Sequence, residues 1–106
     1  MVKGKSAIMV EIRRLWQEHC AVPFPAGCAG KEVDGICLVF LDSFAAGCIA
    51  SFIAGDGHLD STRAAVLRES YQQLTHVCDV LDGDANEYCR RLEKLAGLVE
   101  QELPAS

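Results

Sequence analysis

The sequence lacks the residue patterns that mark most small enzymes and metal proteins. Its six cysteines are separated by seven, eight, ten, 29 and ten residues, so no Cys-x-x-Cys occurs. His-Glu-x-x-His and Gly-x-Ser-x-Gly are also missing. These absences argue against a zinc centre and against a serine nucleophile held on a strand-to-helix turn. We therefore expect no catalytic residue, no metal and no other cofactor.

Basic residues are also few. The chain has 10 Lys and Arg against 15 Asp and Glu, and its two basic pairs, Arg13-Arg14 and Arg90-Arg91, each have a glutamate close by. Nucleic-acid binding needs clustered positive charge, so we expect no nucleic-acid partner. A secretory signal is not indicated either, because the apolar run Ala7–Val10 stops at Glu11. This predicts a cytoplasmic protein whose cysteines stay reduced.

Low-complexity tracts and internal repeats are absent, and 106 residues suit one core. We therefore predict a single domain over residues 1–106. What the sequence does contain is an apolar run, Ile36–Ala54, whose only charged residue in nineteen is Asp42. Nineteen residues can cross a bilayer. However, Asp42 opposes insertion, and Asp34 and Asp56 occupy the flanks where basic or aromatic anchors are expected, so the pattern favours a buried helix over a membrane span.

Asp42-Ser43 predicts a break in this run, because both residue types cap helix starts. The interpretation is an extended segment followed by a helix over residues 43–54 that is apolar on all sides and lies inside the domain. The Asp34-Gly35 pair before it predicts a β-hairpin over residues 31–41. Prolines make residues 21–30 a loop.

Apolar residues three and four positions apart predict three further helices, over residues 6–20, 60–81 and 84–103. Asp84 and Glu87 form a possible capping box at the start of the last one. The short turn between the last two helices indicates an antiparallel hairpin. The predicted fold is mainly α: a compact four-helix domain with a central apolar helix, a C-terminal helical hairpin and one short inserted β-hairpin.

Two groups of residues are candidates for chemistry. Asp56, His58 and Asp60 alternate in a glycine-containing loop and could converge on a ligand, although turn formation and helix capping explain the same residues. With Asp56 counted as position 1, position 12 is Leu67 instead of the bidentate Glu of a calcium loop, which excludes an EF-hand. Cys78 and Cys89 lie at equal distances from the helical-hairpin turn and could form a redox pair, the alternative being two reduced core thiols.

Three functional hypotheses follow. The leading one is a small non-catalytic interaction or adaptor protein that self-associates, as a homodimer, or binds another protein through the hairpin edge or the 22–30 loop. Its candidate contact residues are Phe24, Ile36 and Leu38. The first alternative is a small-molecule or metal binder that uses the 55–60 loop or cysteines between helices. The second is a small cysteine-dependent enzyme, which requires a thiol with a depressed pKa.

Overall fold

Four helices and one two-stranded hairpin make up the part of the chain that the computed structural model describes, residues 4–104, with side chains from residue 7 onward. The helices are α1 (Gly4–Cys20), α2 (Leu38–Ala54), α3 (Ser61–Val80) and α4 (Gly83–Glu102). Between α1 and α2 lie a 3₁₀ turn at Ala26–Cys28 and the strands β1 (Glu32–Val33) and β2 (Ile36–Cys37). The predicted mainly α, four-helix fold with an inserted β-hairpin is confirmed.

The α3–α4 hairpin forms because each helix has one continuous apolar stripe. Leu67, Leu74 and Val77 of α3 are buried against Leu92 and other apolar residues of α4. Burial of two such stripes against each other is the main source of stability for helices of this length. The core continues onto α1 and α2, which pack across the same hairpin.

The turn between α3 and α4 uses different polar contacts from the predicted ones. Helix α4 begins at Gly83, so Asp84 already lies in its first turn, and the proposed capping box of Asp84 with Glu87 is wrong. Instead, the Asn86 side chain donates hydrogen bonds to the carbonyl oxygens of Cys78 and Leu81, at 2.7 and 3.1 Å. These bonds satisfy carbonyl groups that the end of α3 would otherwise leave unpaired.

The β-hairpin turns at Asp34-Gly35, as the sequence predicts. Both residues have positive φ, 51° and 82°, which is the backbone conformation of a two-residue hairpin turn. Val33 pairs with Ile36, and His76 Nε2 of α3 lies 2.7 Å from an Asp34 carboxylate oxygen. The hairpin therefore lies on the helices of its own chain.

The predicted break at Asp42-Ser43 does not occur, because β2 ends at Cys37 and α2 begins at Leu38. Leu38 and Leu41 are both buried. Two residues three positions apart face the same side of a helix but opposite sides of a strand, so burying both requires a helix here. Asp42 is consequently inside α2, where its carboxylate accepts a hydrogen bond from Tyr88 and caps nothing.

Helix α2 was expected to be buried on all sides, but only one side is. Its inner face packs on the core through Leu38, Leu41, Ala45, Ile49 and Phe52. The opposite side is exposed and is called here the outer face; it comprises Val39, Phe40, Ser43, Phe44, Gly47, Ala50 and Ala54. None of the helices in residues 4–104 is both long enough and apolar enough to cross a membrane.

Candidate functional site

The 55–60 loop uses its two carboxylates for structural contacts. Asp56 accepts a hydrogen bond from the Arg13 guanidinium at 2.9 Å. Asp60 caps α3 by accepting the Arg63 N–H at 2.8 Å, and that backbone hydrogen bond, followed by one from the Arg63 side chain, lowers the pKa of the Asp60 carboxyl. His58 is exposed. The loop's use as a ligand site stays a prediction.

The conformation of this loop is set by its glycines. A Cβ at Gly55 would lie 2.7 Å from the carbonyl oxygen of His58, closer than a side chain allows. Within residues 4–104 there is also no group of three or more His, Cys, Asp or Glu side chains arranged to hold a metal ion. The alternation of Asp, His and Asp in the sequence therefore coincides with a tight turn and a helix cap.

The predicted contact residues pack on the chain's own core. Leu38 is buried, and Phe24 and Ile36 are half-buried against the core cluster. The Phe24 ring meets Tyr88 edge-on, with ring centroids 5.5 Å apart. The use of these three residues to contact a partner stays a prediction.

The candidate redox pair consists of two buried, free thiols on facing helices. Burial raises the pKa of Cys78 to about 12 and that of Cys89 to about 11. The thiolate is the reactive form, so both residues are poor nucleophiles near neutral pH. Burial also raises the pKa of the Cys28 and Cys48 thiols, whereas a cysteine-dependent enzyme needs a lowered one. A disulfide between Cys78 and Cys89 stays a prediction.

The outer face of α2 carries an exposed aromatic pair that the sequence analysis did not single out. Phe40 and Phe44 are 62% and 57% exposed, and their rings stack with centroids 6.2 Å apart. Their spacing of four residues could have identified the pair. Nothing in a uniformly apolar helix, however, indicates which side faces solvent.

Two shallow grooves border Phe44, where α2 meets α3. One, of about 340 Å³, runs along Gly47 and Ser51 and is bordered by Arg63. The other, of about 210 Å³, lies beside Phe44 and is bordered by Glu69. The outer face therefore combines projecting rings at its N-terminal half with a recess and small side chains at its C-terminal half.

A buried polar cluster joins α1, α2 and α4. His19 is 4% exposed, and neither of its ring nitrogens has a hydrogen-bond partner among the described residues. Its ring lies 4.6 Å from that of Tyr88, whose hydroxyl donates to Asp42 at 2.8 Å. Burial lowers the pKa of His19 and raises that of Tyr88.

Comparison of the chain with protein-family models, with curated proteins and with solved structures finds no match.

Proposed function

We propose that this chain is a small non-catalytic interaction protein that forms a homodimer through the outer face of α2. The observation that carries the proposal is the exposed, stacked Phe40–Phe44 pair on a helix face without charged side chains. A contiguous exposed apolar patch on a small protein often marks an interaction site, whereas single exposed apolar residues are normal. The same surface replaces the hairpin edge and the 22–30 loop as the candidate interface.

A second copy of the chain is the occupant that this surface suits best. Its aromatic half and its small-residue half lie on one helix. When two α2 helices pair antiparallel, the aromatic half of each copy therefore lies against the small-residue half of the other copy. With the two-fold axis at Gly47, Phe44 of one copy lies over the partner's Ala50, and Phe40 over the partner's Ala54. Such self-complementarity is what a two-fold interface requires.

Charges at the edges of the face favour the same orientation. Glu69 borders the groove beside Phe44, and Arg63 borders the groove along Gly47 and Ser51. The antiparallel arrangement brings Glu69 of each copy toward the partner's Arg63. Since the centre of the face carries no charge, the dimer would form without burying an unpaired ion.

The size of the face predicts a weak dimer. A helix of 17 residues is about 25 Å long and about 10 Å wide. That strip is smaller than the roughly 800 Å² per partner of a stable interface, even with the flanking part of α3 added. We therefore expect a dissociation constant in the micromolar range rather than an obligate dimer.

Four of the six cysteines are buried and all six are free thiols, which supports a reducing compartment. A cytoplasmic location is accordingly part of the proposal.

Sedimentation equilibrium on the wild type and on Phe40→Ser/Phe44→Ser tests the proposed interface. We expect a concentration-dependent dimer in the wild type and at least a tenfold increase in its dissociation constant in the double variant. Val80→Ser is the matched control, because Val80 is also exposed but lies outside the face. A strictly monomeric wild type at high micromolar concentration, or equal effects of the double variant and the control, would refute the proposal.

A charge exchange tests the orientation of the two helices. Glu69→Arg alone and Arg63→Glu alone should each weaken the dimer, since each places like charges opposite each other. The combined variant should recover part of the lost affinity. If the combined variant is weaker than both single variants, the helices do not pair antiparallel.

A further inference from the structure

An open groove of about 430 Å³ lies on the opposite side of α4 from its packing with α3, beneath the loop that follows α1. One wall is apolar and consists of loop residues 22–26, including Phe24 between two prolines. The other wall is the N-terminal part of α4, with Asp84, Glu87, Tyr88 and Arg91. Its volume lies within the range of about 300–1,000 Å³ that is typical of small-molecule sites.

The charged groups of this groove are unpaired within the part of the chain that the structure describes. Arg90, the neighbouring residue, contacts the carboxylates of Asp79 and Glu93. Arg91 has no such partner, and its buried Nε lacks a hydrogen-bond acceptor. Glu87 is four residues before Arg91, a spacing that permits an ion pair, yet none forms between them. The buried Arg91 Nε–H is costly without an acceptor, and an anionic acceptor from outside the chain would stabilise the guanidinium.

Opposite charges lie close together along the groove. Asp84, Glu87 and Arg91 follow each other at spacings of three and four residues and so share one side of α4. A simple anion would be repelled by the two carboxylates, and a simple amine would leave Arg91 without an acceptor. A molecule with one anionic and one cationic group satisfies both ends.

We propose that this groove binds a free α-amino acid with an apolar side chain. The carboxylate of the amino acid would pair with Arg91, and its ammonium group with Asp84 and Glu87. The apolar side chain would cover the wall formed by residues 22–26. This binding is independent of the proposed dimer, since the outer face of α2 contributes nothing to the groove.

Titration calorimetry of the full chain with L-phenylalanine and with L-leucine tests the proposal. We expect at least one of them to bind with a dissociation constant of about 1 mM or tighter. Its N-acetyl derivative, which lacks the cation, and its amide, which lacks the anion, should each bind at least about tenfold more weakly. No binding of either amino acid up to about 10 mM, or equal binding of the derivatives, would overturn the proposal.

Two arginine variants locate the site. Arg91→Gln should weaken binding at least about tenfold, while Arg90→Gln, one residue away but outside the groove, should bind as the wild type does. Circular dichroism confirms that each variant is folded. Phe40→Ser/Phe44→Ser should also bind normally, which separates this result from that of the dimer test. Unchanged binding in a folded Arg91→Gln would place the ligand elsewhere and refute this site.

Discussion

Phe52 and Phe44 lie about two turns apart on the same helix, yet Phe52 is 1% exposed and Phe44 is 57% exposed. Around Phe52, the inner face of α2 is covered by apolar side chains of the other helices. Around Phe44, the outer face is exposed and borders two shallow grooves. The difference shows that the neighbours of a residue, rather than its own hydropathy, determine its burial. The two faces of this helix therefore differ: the inner face packs on the core, and the outer face is exposed.

The largest expected effect concerns the inner face. Phe52→Ala should lower the free energy of unfolding by about 3–5 kcal/mol, because it removes a fully buried ring and leaves a cavity among well-packed neighbours. Urea unfolding followed by circular dichroism measures the change. A loss below about 1 kcal/mol would mean that the inner face is not the structural side of α2, and the comparison of the two faces would fail.

The same contrast explains how much of the fold the sequence could predict. In α3 and α4, apolar and polar residues alternate with helical spacing, and the helices were predicted to within one residue at each end. In α2 the residues are apolar on every side, so the pattern predicts neither which side faces the core nor where the helix begins. Asp42 looked like a helix cap because its actual partner, Tyr88, is 46 residues away.

The groove and the buried cluster were missed for a related reason. His19, Asp42 and Tyr88 come from three helices that only the tertiary structure brings together. The 55–60 loop, by contrast, concentrates polar residues within six positions and so attracted the prediction of a site. Local concentration of polar residues is visible in a sequence, but it also accompanies turns and caps. Contacts between residues that are distant in the sequence can be recognised only once the fold is known.

The next effect in size concerns Asp42, the one charged residue of α2. Tyr88→Phe removes the hydroxyl that donates to Asp42 and leaves this half-buried carboxylate without that donor. We expect a loss of about 1–2 kcal/mol in the free energy of unfolding, with the fold retained. Denaturant unfolding at pH 7 checks the value. An unchanged stability would show that water replaces the hydroxyl. Asp42 would then be solvated in the same way as a residue of the outer face.

His19 should have a smaller effect on the free energy of unfolding, and this effect depends on pH. Its pKa is lowered in the folded protein by burial, so the unfolded chain binds a proton first as the pH falls below about 6.5. Stability should therefore fall with decreasing pH through this window, by at most about 1.4 kcal/mol per pH unit, until the folded form is also protonated.

Urea unfolding at pH 7.5, 6.5 and 5.5 measures this slope. His19→Phe keeps an aromatic ring beside Tyr88 and removes the titrating group, so its slope should be shallower than that of the wild type. The comparison uses the slope alone and does not depend on whether the variant is more or less stable at pH 7.5. Equal slopes would show that His19 does not couple folding to protonation.

The smallest expected effect on the single chain is that of Phe44→Ala. At concentrations where the chain is monomeric, its unfolding free energy should change by less than about 0.5 kcal/mol, because an exposed ring has little contact to lose. At high concentration the two chains should differ. If dimerisation uses the outer face, the urea midpoint of the wild type rises with protein concentration, since association stabilises the folded state, and the midpoint of Phe44→Ala stays nearly constant. A large loss in dilute solution would mean that Phe44 supports the fold, and identical concentration dependence would mean that its exposure has no part in association.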